Sequence, residues 1–434
     1  MKWRENIMKK GIIVAVKLDK VSIIDFEYEL EELKNLANSC DIEIVDTVTQ
    51  NLEAFNSHSY IGKGKIDEVK MVLDAQEAEV VVINDELSPL QINTLDEQLE
   101  VAIYDRTFLI LEIFKSRAKT KEAIIQVELA ELSYTLPRLT GLRQGLSRQR
   151  GTGGGFAHGR GAGETKLELD RRITYNEIAE LKKELKELTL KRKQQRAKRN
   201  KSHLKTICLV GYTNSGKSTL LNRLINTYSN NENKKVLSKD MLFATLETST
   251  RLIESNYGSF LLTDTVGFID KLPTHLIEAF KSTLEEILDA DLIVHVVDTS
   301  NPRFNEQVTI TNNVLQSIGV NIGSIPIIYA FNKIDKVTSY FYIGSNYIND
   351  LSKAIRISAL DGTNIDELVK LIIDSAYSEY YYQEFFIPYD KQENAYKIKE
   401  EAIYFNMRMA DDGIHIGAKV SIKIINQYSE FKAK

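Results

Sequence analysis

The stretch "TICLVGYTNSGKST", from Thr206 to Thr219, limits what this chain can fold into more than any other. A short apolar run stops at a glycine-bearing turn with G-x-x-x-x-G-K-S spacing, and the helix-like "TLLNRLIN" follows at once. A strand that buries both faces and feeds a loop and then a helix belongs in a parallel sheet flanked by helices. Backbone amides gathered at such a helix N-terminus cradle phosphate. Gly211, Tyr212, Thr213, Asn214, Ser215, Gly216, Lys217, Ser218 and Thr219 are therefore the expected phosphate loop. Lys217 is expected on the β- and γ-phosphates, and Ser218 on magnesium.

A phosphate loop alone leaves the base open. "FNKID" supplies Asn332, Lys333 and Asp335 after the apolar run "IPIIYA". A carboxylate at Asp335 can accept hydrogen bonds from N1 and the exocyclic amino group of guanine, and adenine has neither donor on that edge. "SAL", Ser358, Ala359 and Leu360, stands where the last base-contacting turn is expected. Between these motifs lies "LLTDTVGF". Asp264 is expected beside magnesium, Thr265 and Val266 line the loop, and Gly267 offers its amide to the γ-phosphate. Lys217, Thr245 and Gly267 are the expected catalytic set, with Ser218, Thr245 and Asp264 holding Mg2+. Thr248, Ser249 and Thr250 remain rivals to Thr245 as the switch threonine. The residue after Gly267 is Phe268, where Ras-like enzymes place a glutamine that orients the attacking water. Slow hydrolysis without a partner is the expected consequence.

The second unusual stretch lies just upstream. Nine of the chain's 22 glycines fall between Gly141 and Gly163, interleaved with Arg143, Arg148, Arg150 and Arg160. Residues 137–201 hold 18 Lys and Arg against seven Asp and Glu, a window of +11 in a chain of net charge -5, which leaves -16 elsewhere. Charge acts over a Debye length of about 8 Å at physiological salt, so this window can face a polyanion although the chain is acidic overall. A solvated basic helix would account for residues 191–201 alone. A plain Gly/Ser linker has no use for the arginines, whereas glycine permits close backbone approach and arginine forks to phosphate and stacks on bases. These four arginines are the expected RNA contacts.

Around these features the chain reads as α/β. Short apolar runs at "IIVAV", "IEIVDTV", "VVVI" and "VAIYD" alternate with helical patterns, the third of which has Ser88 as cap before Pro89. A long helical pattern runs from about Thr107 to Leu136, with Ile125, Leu129, Leu132 and Leu136 on one stripe. Ile178, Leu181, Leu185 and Leu188 form a second stripe beyond the glycines, which suggests an antiparallel helical hairpin with the loop at its tip. The expected organisation is an N-terminal α/β domain over 1–105, a helical hairpin with an Arg/Gly-rich tip over 106–202, a P-loop G domain over 203–378, and a small α+β C-terminal domain over 379–434. Two cysteines without metal or disulfide spacing suggest a reducing compartment. No membrane span is expected, and the first residues reach charge too soon for a secretory signal. A cytoplasmic location follows, with peripheral membrane association left open.

The residues resemble the HflX family of translational GTPases over nearly the whole chain. "YIGKGKIDEV", "NDELSPLQ", "YDRTFLILEIF", "ELAELSYTLPRLTG", "GRGAGETKLELDRR", "GYTNSGKSTLLN", "FATLETSTR", "DTVGFIDKLP" and "FNKID" follow that family's signatures in order. The resemblance implies a GTPase that hydrolyses GTP on the large ribosomal subunit, near the peptidyl-transferase centre, and separates stalled ribosomes under stress. It implies ribosomal RNA as the surface the Arg/Gly loop enters and K+ held by Asn214. The chain is expected to be a monomer off the ribosome. Two other roles fit the same motifs: a ribosome-silencing or large-subunit assembly GTPase, and a partner of an RNA-modification enzyme. Glu247 and Thr248 depart from the family's aspartate and proline after the switch threonine and leucine, and Ala162 stands where proline is common.

Overall fold

Ile12, Ile13, Val14, Ala15 and Val16 are each at most 4% exposed, so the first apolar run is buried on both faces, as only a central strand can be. It lies in β1 (Lys9–Leu18), followed by α1 (Ile23–Ser39), β2 (Ile42–Leu52), α2 (Lys63–Gln76), β3 (Val80–Ile83), α3 (Pro89–Leu99) and β4 (Ala102–Asp105). The sheet order is β2-β1-β3-β4, all parallel. Ser88 caps α3 in a capping box with Gln91, with proline in the first turn.

The computed structural model describes residues 8–139, 160–199, 204–228, 243, 249–321, 324–337 and 351–433. They form two units: Met1–Leu188 with Leu272–Phe280, and Thr189–Lys271 with Lys281–Lys434. In the first unit the single long helix expected after Thr107 is two, α4 (Arg106–Arg117) and α5 (Lys121–Leu139). Ala118 turns extended at ψ 120°, and the Thr120 hydroxyl accepts from the Ala123 amide at 3.2 Å, so a new helix is capped there. Asp105 ends β4, caps α4 through the Phe108 amide at 2.8 Å, and accepts from the Tyr134 hydroxyl at 2.9 Å.

The stripe on α5 is buried at Ile125 and Leu129 and half-buried at Leu132 and Leu136. Its counterpart on α6 (Arg160–Arg199) is half-buried at Ile178, Leu181, Leu185 and Leu188. Lys121, at the start of α5, pairs with Glu184 far along α6 at 2.5 Å, the contact an antiparallel arrangement brings about. The expected loop is shorter than its composition suggests, because α6 starts at Arg160 and takes in Gly161 and Gly163. Arg143, Arg148 and Arg150 lie outside the described residues.

In the second unit, β5 (Thr206–Val210) leads to α7 (Lys217–Tyr228), β6 (Ser249–Ser255) and β7 (Gly258–Asp264). After α8 (Thr274–Ala279), which belongs with the first unit, come α9 (Lys281–Leu288), β8 (Leu292–Asp298), α10 (Phe304–Ser317), β9 (Ile327–Asn332), β10 (Ala354–Arg356) and α11 (Ile365–Ala376). The sheet order is β10-β9-β8-β5-β7-β6, with only β6 antiparallel to its neighbour. Ile207 and Leu209 of β5, with Val294 and Val296 of β8, pack on Leu220, Leu221 and Leu224 of α7 and Leu368 and Ile372 of α11. A small antiparallel sheet of order β11-β13-β12 ends the chain: β11 (Tyr380–Ile387), α12 (Glu393–Glu401), β12 (Tyr404–Ala410), β13 (Gly413–Ser421) and α13 (Ile422–Gln427).

Candidate guanine-nucleotide site

The carboxyl ends of β5, β7 and β9 bring the expected motifs together, since parallel strands deliver their following loops to one edge. Gly216, at φ 97°, is in a conformation that side chains rarely adopt, and a Cβ there would strike the Asn332 side-chain amide. That amide donates to the Ser215 carbonyl at 2.9 Å, while the Asn332 carbonyl oxygen accepts from the Ala359 amide at 2.9 Å. Asn332 is thus a buried strut between the phosphate loop and the "SAL" turn. Ser215 and Ser358 are fully buried, Tyr212, Thr213 and Ala359 nearly so, and Thr219 half-buried. Asn214 is exposed in a left-handed turn at φ 59°.

Asp335 is exposed, and its carboxylate accepts from the Ser358 hydroxyl at 2.7 Å, which fixes its direction. Lys333, left-handed at φ 65°, pairs with Asp298 at 2.8 Å. Leu360 is 65% exposed and takes part through its carbonyl. Arg223 of α7 donates to that carbonyl and, at 3.1 Å, to the carbonyl of Ala359. This brace ties the base-side loop to the helix whose N-terminus faces phosphate.

On the phosphate side, the Ser218 hydroxyl donates to Asp264 at 2.9 Å, and Asp264 is fully buried. One hydroxyl beside one carboxylate is the sparse oxygen set Mg2+ uses when phosphates complete its shell. Thr265 donates to the Leu209 carbonyl at 2.6 Å, and Val266 is buried. Thr245 and Thr248 lie outside the described residues. The rivals Ser249 and Thr250 lie in β6, where the Thr250 and Thr263 hydroxyls share a 2.9 Å bond.

Gly267 and Phe268 are fastened to the phosphate loop. The Thr213 amide donates to the Phe268 carbonyl at 2.7 Å, the Phe268 amide to Gly211 at 3.1 Å, and the Asp270 amide to the Tyr212 hydroxyl at 2.8 Å. A Cβ on Gly267 would stand 3.0 Å from both the Lys217 ammonium and Thr213 Cα. The Phe268 ring is buried, so it packs and offers no polar atom.

Lys217 donates to the Gly211 and Tyr212 carbonyls at 2.9 and 2.8 Å, and burial lowers its pKa to about 8, with Asp264 opposing the shift and Lys333 adding to it. His295 on β8 is buried too; loss of solvent, with the nearby lysine charge, pushes it down to about 3, so its imidazole is neutral. Phosphate favours the protonated lysine. GDP affinity is therefore expected to hold up to pH 7 and then fall about tenfold by pH 9, as the free side chain loses its proton near pH 8. Calorimetry at both values reads this, with Lys217→Arg isolating the guanine's own titration. An identical pH profile for the two proteins would show that Lys217 does not titrate there.

A phosphate loop joined through a buried asparagine to a carboxylate-bearing base turn, on a parallel sheet, defines a guanine-nucleotide-binding protein of the P-loop class. Family models match in sequence: "GTP-binding GTPase N-terminal" over residues 27–115, "GTP-binding GTPase Middle Region" over 117–199, and "50S ribosome-binding GTPase" over 206–333. The chain is 40% identical to GTPase HflX of Caldanaerobacter subterraneus over 98% of its own length and 94% of the relative's. It is 37% identical to GTPase HflX of Escherichia coli over 80% and 78% of the two lengths. This chain belongs to the HflX family of GTPases, and it hydrolyses GTP.

Proposed function

We propose that this GTPase binds the large ribosomal subunit through ribosomal RNA and uses its GTP cycle to split stalled or idle ribosomes into subunits under stress. The observation that carries this reading is the buried Phe268 after Gly267, in a chain that also holds a +11 Arg/Gly-bearing window. With no water-orienting side chain in that position, hydrolysis waits on a partner. The partner is polyanionic, and the description of the matching family model names the 50S ribosome.

In this reading Lys217 and the loop amides hold the β- and γ-phosphates, and Asp335, directed by Ser358, reads guanine. Ser218, Asp264 and Thr245 would hold Mg2+, which would supply charge neutralisation at the phosphates. Asn214 would hold K+. Arg143, Arg148, Arg150 and Arg160 contact RNA. The work is done in the cytoplasm, by a monomer off the ribosome.

Light scattering of intact ribosomes mixed with the chain tests it. Scattering is expected to fall with GTP, and GTP turnover is expected to rise strongly with large subunits and to be faster in potassium than in sodium. Stoichiometric binding at constant scattering would make the chain a silencing factor. Rapid turnover without ribosomes would remove the partner requirement, and equal rates in the two salts would remove the Asn214 assignment.

A further inference from the structure

The C-terminal sheet is built as a split β-α-β. β11 and β12 each pair antiparallel with β13 between them, so they run parallel to one another, joined through α12. α13 follows β13, and Lys432 then bridges antiparallel to Phe385 on the outer side of β11. This β-α-β-β-α-β path is ferredoxin-like, and one class of modules with a helix-backed sheet binds single-stranded RNA by stacking bases on sheet aromatics. A path alone assigns no function, and the side chains must decide.

They separate by face. Phe385, Ile387, Ile414, Ile416, Ala418 and Val420 are buried with Ala395 and Ile398 of α12 and Ile424 and Ile425 of α13. The alternate positions face the other way. Register sets them in three rows across the strands: Tyr382, Lys419 and Tyr404; Glu384, Gly417 and Asn406; Phe386, His415 and Arg408. No aliphatic side chain stands in these rows. Tyr382 is 58% exposed, His415, Arg408 and Asn406 are exposed, and Phe386 and Tyr404 are half-buried. The Tyr382 and Tyr404 centroids lie 6.5 Å apart, and those of Phe386 and His415 5.2 Å. A Cβ on Gly417 would run into the Tyr382 hydroxyl, so glycine is what lets that ring lie across the central strand.

We infer that this open face is a stacking platform for unpaired RNA bases, distinct from the nucleotide site and from the Arg/Gly stretch. Rings set beside imidazole, guanidinium and amide groups, with one carboxylate, Glu384, within reach of the Tyr382 hydroxyl at 3.5 Å, suit bases, which present a π-face and both donor and acceptor edges, better than they suit an aliphatic protein surface. Lys419 is engaged by Asp374 at 3.3 Å, so the cationic contribution centres on the Arg408 row. Affinity here rests on stacking and has a shallow salt dependence, with a log–log slope of about 0.7 for one phosphate contact.

The test uses the full chain carrying Arg143, Arg148, Arg150 and Arg160→Ala, which removes the other RNA contact. The probe is a fluorescent single-stranded RNA of about ten nucleotides, compared with its duplex. Anisotropy is expected to show the single strand bound at least about tenfold more tightly than the duplex. Tyr382→Ala and Phe386→Ala should each weaken it about fivefold or more, while Tyr382→Phe keeps the ring and the affinity. GTP turnover, unchanged in all three, reports an intact fold. Equal binding after both alanine changes overturns the proposal, as does equal affinity for duplex. Ribosome binding lost with no oligonucleotide binding in any form also overturns it, and assigns the face to a protein. If ribosomes are not split but the oligonucleotide follows the expected pattern, the platform stands and the splitting role falls.

Discussion

Asp335→Asn is expected to lower GTP affinity by about 10²- to 10⁴-fold, because each charge-assisted hydrogen bond contributes roughly 1.5–3 kcal/mol and two are at stake. The change also turns an acceptor into a donor. An amide facing the guanine N1–H and amino group leaves two donors opposed, whereas xanthine presents a carbonyl in place of the amino group. XTP should therefore gain what GTP loses. Asp335 is exposed and lies beyond the last residue of β9, so the substitution leaves the packed core alone. Competition of GTP, ATP and XTP against a labelled nucleotide reads the result. If GTP selectivity survives, the base is read elsewhere in the turn, and the 2.7 Å bond from Ser358 only holds a loop.

The linear part of this site is legible in the sequence because phosphate and guanine recognition need particular side chains at short, regular spacings. Lys217, Ser218, Asp264 and Asp335 converge at one edge of the sheet because their motifs end parallel strands. The braces are a different matter. Arg223 reaches the carbonyls of Ala359 and Leu360, Asn332 reaches that of Ser215, and the Tyr212 hydroxyl accepts the Asp270 amide. In each pair one partner is main chain, which every residue carries, so no residue pattern reports it. His295 escapes for a related reason: in an apolar run it reads as a strand residue, and only the sheet places it near Lys217.

The fold shows the same division. β3 and the Ser88 cap could be read directly, since a four-residue apolar run and a Ser-Pro pair are local signals. The break between α4 and α5 could have been found in Thr120, whose hydroxyl caps the second helix, but the apolar stripe runs on across it. Glycine count overstated the loop. Gly161 and Gly163 lie in the first turns of α6, where a helix of 40 residues spreads the entropic cost of about 1 kcal/mol for each. The aromatic rows of the last sheet could not be read at all, because they depend on register between strands whose order differs from their order in the chain.

The Arg/Gly stretch carries the other large effect. If Arg143, Arg148, Arg150 and Arg160 contact phosphate, replacing all four with alanine should weaken large-subunit binding and flatten its salt dependence. Each lost contact lowers the log–log slope by roughly 0.7–0.9. Replacing Gly153, Gly154 and Gly155 with valine should act differently. The charge attraction remains, so binding persists with nearly the same salt slope, but β-branched side chains keep the backbone from close approach to RNA. Ribosomes should then stay whole although the protein binds them. GTP affinity should be nearly unchanged in both variants, because the nucleotide side chains come from β5, β7, β9 and the loops that follow them. The contrast separates attraction from seating, which charge removal alone cannot do. If the arginine variant binds with an unaltered salt slope, these arginines touch no phosphate. If the valine variant splits ribosomes at the normal rate, the glycines serve only to connect α5 to α6.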